Sequence, residues 1–146
     1  MLNITIRNFV CPSLDYTQAL QLRHRILRVP LGLEFTAEEL EKDKHDIHLG
    51  LFEGKRILAC ITLTRCENNS MKMRQVAVED AEQGKGLGKK LSQAGEKYAL
   101  ENGFEMIFCN ARKTAVPFYE SMGYKIVSNE FTEVNLPHYR MEKKLH

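Results

Sequence analysis

The sequence predicts a mixed α+β fold, in which a β-sheet packs against helices. Runs with helical spacing of apolar residues alternate along the chain with short runs rich in β-branched residues. The turn signal Glu53-Gly54-Lys55 separates two of the apolar runs and favours an antiparallel hairpin. A strand-like run ending at Val78 leads into a glycine-rich loop and then a helix. Together these patterns predict the order β-α-α-β-β-β-α-β-α-β-β.

The first half of the chain is predicted to hold both helices that precede the hairpin. In order, its elements are a strand at residues 3–7, a helix at 14–28, a short helix that begins at 36–39, and strands at 46–52 and 56–64. Pro30 and Gly32 stop the first helix. The second begins at the capping-box pattern Thr36-Ala37-Glu38-Glu39.

The second half is predicted from the same signals. In order, its elements are a strand ending at Val78, a helix from Leu87 to Asn102, a strand at 105–110, a helix at 114–122, and strands at 124–127 and 137–145. Leu87, Leu91, Ala94 and Tyr98 fall at helical spacing and predict a buried stripe. Gly103 and Gly123 end the two helices.

Composition bounds the possible functions. The chain has 146 residues, which fits one domain spanning residues 1–146. Its net charge of +2, from 21 basic and 19 acidic residues, is too small to indicate nucleic-acid binding. No apolar run approaches the roughly 18 residues that a membrane-spanning helix needs, so we expect no membrane partner. Of four cysteines, none forms a C-x-x-C pair, and Cys60 and Cys109 lie in apolar runs, which favours reduced, structural thiols in a cytoplasmic protein.

The segment 83–90, Gln-Gly-Lys-Gly-Leu-Gly-Lys-Lys, carries the strongest chemical signal. Glycines let the backbone approach an anion closely, and the first amides of a helix have no internal partner. The loop therefore indicates a phosphate site, although a flexible turn with solvated lysines stays open on this pattern alone. A Walker loop is excluded by the four-residue step from Gly84 to Gly88 and by the missing hydroxyl. A dinucleotide fingerprint is disfavoured because the glycines run G-x-G-x-G and lie past the middle of the chain.

With this loop, the chain resembles the GNAT superfamily of acetyl-CoA-dependent N-acetyltransferases. The family signature, Gln or Arg, then x-x-G-x-Gly or Ala, is matched by Gln83, Gly86 and Gly88, and the element order agrees over nearly the whole chain. The resemblance implies a mostly antiparallel mixed sheet with a splayed central strand pair and helices on both faces. It also implies acetyl-CoA as the acetyl donor.

The resemblance assigns donor-binding roles to two segments. The backbone of Val76, Ala77 and Val78 would bind the pantetheine arm, and the Val78 amide would polarise the thioester carbonyl. The pyrophosphate would lie on the loop and the helix start, formed by Gln83, Gly84, Lys85, Gly86, Leu87, Gly88 and Lys89.

A second family signature covers residues 110–124. The resemblance implies that Asn110 binds the arm, directly or through water, and that Tyr119 protonates the departing CoA thiolate. A strand cap is the alternative for Asn110, and a core aromatic is the alternative for Tyr119. Phe118 is expected in the core.

The C-terminal segment is similar to that of the ElaA-like GNAT subgroup, with matches at Phe131, Glu133, Leu136, Pro137, His138 and Met141. This implies that Glu133 and His138 lie near the acceptor amine and can take its proton. A solvated loop carboxylate and a turn-orienting histidine are the alternatives.

The front half matches that subgroup less well. Arg23 or Arg25, Asp43, Asp46 and His48 resemble its residues, and Gln75 replaces a usual arginine. Because alternate side chains of a strand point to opposite faces, His45-Asp46-Ile47-His48 does not predict a metal site.

Two functions remain open from the sequence. The first is acetyl transfer from acetyl-CoA to a primary amine by direct attack in a ternary complex, and the absence of a recognisable Ser-His-Asp or Cys-His arrangement favours it. The second is a non-catalytic sensor of CoA or acyl-CoA on the same fold. The acceptor could be a polyamine, an amino sugar, an antibiotic, a free amino acid or a protein lysine. Many GNAT proteins are homodimers, so a dimer is compatible with the resemblance.

Overall fold

A computed structural model describes residues 3–145 of the protein. Within them, eight strands form one sheet and four α-helices accompany it. The strands are Ile4–Phe9 (β1), Ile47–Glu53 (β2), Arg56–Cys66 (β3), Ser70–Val78 (β4), Met106–Arg112 (β5), Lys125–Ile126 (β6), Phe131–Glu133 (β7) and Leu136–Lys144 (β8). The helices are Leu14–Arg23 (α1), Ala37–Lys42 (α2), Leu87–Glu101 (α3) and Val116–Ser121 (α4). The sheet order is β1-β2-β3-β4-β5-β8-β6, with β7 paired to β8.

The central strands β4 and β5 are parallel, whereas the other pairs in the described sheet are antiparallel. Their pairing runs only from Ser70 opposite Met106 to Lys72 opposite Phe108. Beyond that point the two strands continue for several residues without pairing, so a gap opens between their carboxyl ends. The splayed central pair that the resemblance implies is therefore present.

A β-bulge interrupts the pairing of β3 with β4. Thr62 opposes Arg74, but Cys60 opposes Ala77, so β4 holds one extra residue between these pairs. Gln75, inside the bulge, has a φ of 56°, in the left-handed region. Because one extra residue reverses the alternation of a strand, the side chains of β4 change faces at this point.

Helices cover both faces of the sheet. On one face, α3 and Tyr119 of α4 pack over a large core that includes Met73, Cys109 and Met141. On the other face, α1 packs over a smaller core that contains Ala77. The predicted stripe of α3 is confirmed, since Leu91 is buried and Leu87, Ala94 and Tyr98 pack against the larger core.

The short helix α2 forms as its capping box predicts. The Thr36 side chain accepts a hydrogen bond from the Glu39 amide, and the Glu39 carboxylate accepts one from the Thr36 amide, both at 3.1 Å. The first helix departs from the prediction, because it is α-helical only to Arg23 and widens into a π-helical turn over His24–Arg28. Gly32, at a φ of 67°, ends the helical segment as predicted.

Three further expectations differ from the structure. The strand β7 was not predicted, because its three residues are too few to show an alternating pattern. The strand β5 extends to Arg112 rather than ending at Asn110. Phe118 is 37% exposed instead of lying in the core, and its ring lies near Gly88 at the start of α3. Cys60 and Cys109 are buried and free, as expected.

The segment between α2 and β2 is anchored by a buried ion pair. Asp43 accepts hydrogen bonds from the Arg23 guanidinium at 2.9 Å and from the Tyr16 hydroxyl at 2.6 Å. The Asp43 carbonyl accepts a hydrogen bond from Nε2 of His48 at 2.7 Å. Of the front residues that resemble the ElaA-like pattern, Arg23, Asp43 and His48 are thus buried, whereas Arg25 is exposed.

None of the helices in residues 3–145 is both long enough and apolar enough to cross a membrane.

Candidate functional site

The gap between β4 and β5 opens into a cavity of ≈ 360 Å³. Its walls come from the carboxyl ends of these strands, from residues 23–48 (the front segment), from α4 and from the β7–β8 hairpin. The lining residues are Leu27, Arg28, Glu39, Lys72, Met73, Arg74, Gln75, Val76, Cys109, Asn110, Ala111, Arg112, Ala115, Tyr119, Glu133, Val134 and His138. All three residues predicted to be catalytic, Tyr119, Glu133 and His138, therefore line one cavity.

Tyr119 reaches the cavity from α4. Its ring is 7% exposed and packs edge-on against Phe118 and Tyr124, with centroids 5.1 and 5.6 Å away. Among residues 3–145, its hydroxyl makes no hydrogen bond. Burial raises the pKa of Tyr119 above its ordinary value of 10, so the phenol stays protonated at neutral pH. Tyr119 is thus a protonated donor with no partner inside the described protein.

Glu133 and His138 face each other across the β7–β8 hairpin. Nδ1 of His138 donates a hydrogen bond to the Leu136 carbonyl at 2.9 Å, because a carbonyl can only accept. In the neutral ring, Nε2 then carries the lone pair, and it lies 3.7 Å from Oε2 of Glu133. Asn110 donates to the other oxygen of Glu133 at 3.2 Å. Two acceptors, an imidazole nitrogen and a carboxylate oxygen, therefore converge at the cavity.

The end of β4 presents its backbone to the gap. The Glu79 amide donates to the Leu58 carbonyl of β3 at 2.9 Å, so the alternation of a strand directs the peptide groups of Val78 away from β3. The Val78 carbonyl accepts a hydrogen bond from the Gln83 side chain at 3.1 Å. Ala77, by contrast, has its side chain in the core beneath α1 and pairs with Cys60. The backbone N–H and C=O groups of Val76 and Val78 therefore point toward the gap, whereas those of Ala77 point toward β3.

The glycine loop forms the start of α3. Gly84 and Gly86 have φ values of 83° and 79°, and a Cβ at either position would meet no atom within 4 Å. Gly86 is the N-cap of α3 and supplies no side-chain cap, so the first amides of the helix, from Leu87 to Lys89, lack intrahelical acceptors.

Side chains around the loop connect it to the cavity. The ammonium of Lys85 pairs with Glu82 at 2.8 Å. A Cβ on Gly88 would lie 3.5 Å from the Phe118 ring and 3.6 Å from the Val78 side chain. The start of α3 therefore lies against Val78, at the end of β4, and against Phe118, the chain neighbour of the cavity residue Tyr119.

The front wall of the cavity is charged. The Arg28 guanidinium donates two hydrogen bonds to the Glu39 carboxylate, at 3.2 and 2.8 Å, and these bonds lower the pKa of that carboxyl. Arg112, at the end of β5, donates to the Leu27 carbonyl at 3.1 Å. Sequence reasoning assigned no role to Arg112, although its place two residues after Asn110 puts both side chains on one face of a strand. Burial, and then the charge of Arg28, lower the pKa of Arg112.

Metal-ligating groups do not gather in the described part of the chain, where no three His, Cys, Asp or Glu side chains are arranged to hold an ion. Of the segment His45–His48, only Ile47 and His48 lie on β2, and the His48 ring bonds Thr62 and the Asp43 carbonyl.

Similar proteins point to one family. The family model of the acetyltransferase (GNAT) domain matches residues 30–145. An uncharacterized N-acetyltransferase of Bacillus subtilis, YjcF, is 29% identical over 107 residues, which cover 73% of this chain and 74% of YjcF. The crystal structure of Escherichia coli ElaA has a TM-score of 0.81 at 18% identity and covers 97% of this chain and 99% of ElaA. An aminoglycoside 6′-N-acetyltransferase crystallised with coenzyme A has a TM-score of 0.81 at 18% identity, with 97% of both chains covered.

The solved structures share the fold of this chain over nearly its whole length. The family model extends from the end of the π-helical turn to β8, and so includes the glycine loop and every residue predicted to be catalytic. The protein therefore belongs to the GNAT family of acetyltransferases.

Proposed function

We propose that the protein transfers an acetyl group from acetyl-CoA to a primary amine by direct attack within a ternary complex. The observation that carries this proposal is the separation of β4 from β5 after Lys72 and Phe108. It opens a cavity that three candidate catalytic side chains line, and the uncapped start of α3 lies against Val78 at the end of β4. Direct attack requires the acetyl donor and the amine acceptor to bind next to each other, and the gap is where we expect both to bind.

The donor side fits a molecule with a diphosphate and an amide-rich arm. Unpaired amides at the start of α3 bind the diphosphate, where the helix dipole also favours negative charge. Lys89 and Lys85 lie beside these amides. The backbone of Val76 and Val78 bonds the arm, with Asn110 as a further polar contact. The aminoglycoside acetyltransferase crystallised with coenzyme A supports this assignment, since the two folds agree.

Direct attack suits the residues of the cavity. Acetyl-CoA supplies an already activated thioester, so no enzyme nucleophile is needed. Cys109 is the cavity cysteine, and burial raises the pKa of its thiol to about 12, which disfavours the thiolate that a covalent mechanism requires. The Val78 amide, aimed into the gap, stabilises negative charge on the carbonyl oxygen, an effect of about 3–4 kcal/mol for one such donor in other enzymes.

Proton transfer is divided between the two ends of the cavity. Nε2 of His138 and Oε2 of Glu133 are both acceptors and lie 3.7 Å apart, so an ammonium or amine N–H is the group that satisfies both. His138 or Glu133 takes the proton of the attacking amine. Tyr119, protonated at neutral pH, donates its hydroxyl proton to the leaving thiolate.

The donor assignment is tested by titrating CoA into the wild type and the Gly86→Glu variant in a calorimeter. The new side chain has room in the free protein, because a Cβ at residue 86 meets nothing within 4 Å. Its carboxylate would repel the diphosphate, so we expect CoA affinity to fall about tenfold or more. Gly54→Glu is the matched control, since Gly54 has a φ of 59°, equally open space, and a place in the distant β2–β3 turn. Unchanged affinity in Gly86→Glu would contradict the assignment.

The reaction itself is tested by thiol release from acetyl-CoA in the presence of a panel of primary amines. Amine-dependent release supports acetyl transfer. CoA binding with no release for any amine favours the sensor instead.

A further inference from the structure

The charged wall of the cavity belongs to one face of the sheet. Met73 and Cys109 lie in the core beneath α3, so their strand neighbours, Arg74, Lys72 and Asn110, point to the opposite face. Arg112 shares that face with Asn110. It is also the direct cross-strand partner of His138, which places both side chains side by side.

The cations on this face are unevenly paired. Arg74 pairs with Asp46 at 2.7 Å, and Arg28 pairs with Glu39 at 2.8 Å. Lys72 and Arg112 also line the cavity, and neither forms an ion pair within residues 3–145. Of the four cationic side chains that line the cavity, those of Arg28 and Arg74 therefore have acidic partners, whereas those of Lys72 and Arg112 have none among the described residues.

Arg112 is the cation best placed to bind a ligand. Its only hydrogen bond within the described residues goes to the neutral Leu27 carbonyl, so most of its five N–H donors are free. Partial burial, and then the adjacent charge of Arg28, lower the pKa of Arg112. A guanidinium in such a place binds a carboxylate or a phosphate with two parallel hydrogen bonds.

The opposite charge lies close by. Glu133 is within 3.7 Å of His138, and His138 is the strand partner of Arg112. An anion on Arg112 and an ammonium between Glu133 and His138 would thus be separated by little more than the spacing of neighbouring residues on two paired strands. Small molecules that carry both groups a few bonds apart fit this pattern.

We infer that the acceptor is a small amine that also carries an anionic group, a carboxylate or a phosphate, and that Arg112 binds this group. The inference rests on the proposed function and names its acceptor class. Amino acids and amino sugar phosphates belong to this class. Polyamines, which bring further positive charge to Lys72 and Arg112, do not.

The inference is tested with pairs of amines that differ by the anion alone. Lysine with cadaverine and methionine with 3-(methylthio)propylamine test the carboxylate, and glucosamine 6-phosphate with glucosamine tests the phosphate. Each compound is titrated calorimetrically into the protein alone and into its CoA complex. In at least one pair, we expect the anionic member to bind about tenfold or more tightly, the size of one charge-assisted hydrogen bond. The pair that shows this preference identifies the anion.

Variants then assign the preference to one side chain. In Arg112→Gln, the ratio of affinities within that pair should fall close to one, while the affinity for CoA stays unchanged. Arg112→Lys should restore part of the ratio. Arg65→Gln removes the same charge from an exposed position on β3 and should keep the wild-type ratio.

The inference is overturned if no pair shows the preference in the wild type, or if Arg112→Gln keeps it. Loss of CoA binding and of thiol release would instead overturn the proposed function. The titrations into the free protein read the anion preference in either case, so the two failures are distinguishable.

Discussion

Replacing Tyr119 by phenylalanine removes one oxygen atom and keeps the ring. The packing of that ring against Phe118 and Tyr124 is retained, and no partner within residues 3–145 loses a hydrogen bond. The hydroxyl opens to the cavity and is not a buried group without a partner, so its removal exposes no new unsatisfied atom. Tyr119→Phe should therefore keep the free energy of unfolding within about 0.5 kcal/mol of the wild type. A change of that size would shift the Tm by roughly 1–2 °C in a chain of this size.

The turnover rate of Tyr119→Phe, in contrast, should fall strongly. A positioned general acid contributes about 10²–10⁴ to a rate, which corresponds to roughly 2.7–5.4 kcal/mol of barrier. We expect kcat of Tyr119→Phe, measured by thiol release at saturating acetyl-CoA, to fall by about a hundredfold or more. The affinity for CoA, measured by calorimetry, should change little because the ring remains.

Tyr124→Phe is the matched control. The Tyr124 ring is also buried, but its hydroxyl donates to Glu96 at 2.8 Å and does not line the cavity. Its loss should lower stability by about 1 kcal/mol and leave kcat unchanged. If Tyr119→Phe keeps kcat within about threefold of the wild type, a barrier change below about 0.7 kcal/mol, Tyr119 is not the general acid. The same conclusion holds if Tyr119→Phe, like the control, loses stability while retaining turnover.

Two further predictions concern the front segment. Asp43→Ala leaves the buried Arg23 guanidinium without its carboxylate, so the free energy of unfolding in urea should fall by about 3–5 kcal/mol, whereas Asp15→Ala, at a partly exposed pair, should lose about 1 kcal/mol or less. Similar losses in both variants would contradict the buried role of Asp43. Burial lowers the pKa of His48, so the unfolded chain takes up a proton more readily as the pH falls below about 6.5, and stability should decrease there by at most about 1.4 kcal/mol per pH unit from this group. His48→Gln should flatten that slope in pH-dependent unfolding, while His45→Gln, at an exposed site, should keep it; an unchanged slope in His48→Gln would contradict the assignment.

Local signals predicted most of the fold. The capping box of α2, the glycines that end helices and the buried stripe of α3 depend on neighbouring residues, and all three appear in the structure. The glycine loop was recognisable for the same reason. A signature of six residues brings its own turn chemistry and its own helix start.

The features that escaped prediction depend on distant parts of the chain. The π-helical turn over His24–Arg28 forms where the front segment meets the sheet, and helical periodicity alone does not distinguish it from α-helix. Phe118 has an apolar side chain, but its exposure depends on how α4 packs beside the start of α3, which lies 30 residues earlier in the chain. The place of Arg112 beside His138 depends on the pairing of β5 with β8. Its closeness to the charge of Arg28 depends on the fold of the front segment, so neither feature follows from the neighbouring residues of Arg112.

Because of the bulge at Gln75, the orientation of the peptide groups at the end of β4 depends on how many residues the strand contains before that point. It depends less on which residue occupies position 75. Peptide groups of a strand point alternately to its two edges, so one inserted residue interchanges the groups that each edge receives. Without the insertion, the amide of Val78 would be turned toward β3 and its neighbour toward the opening. Substitutions of Gln75 that tolerate a left-handed backbone should therefore preserve the arrangement, whereas deletion of that single position would present the wrong peptide to an incoming carbonyl.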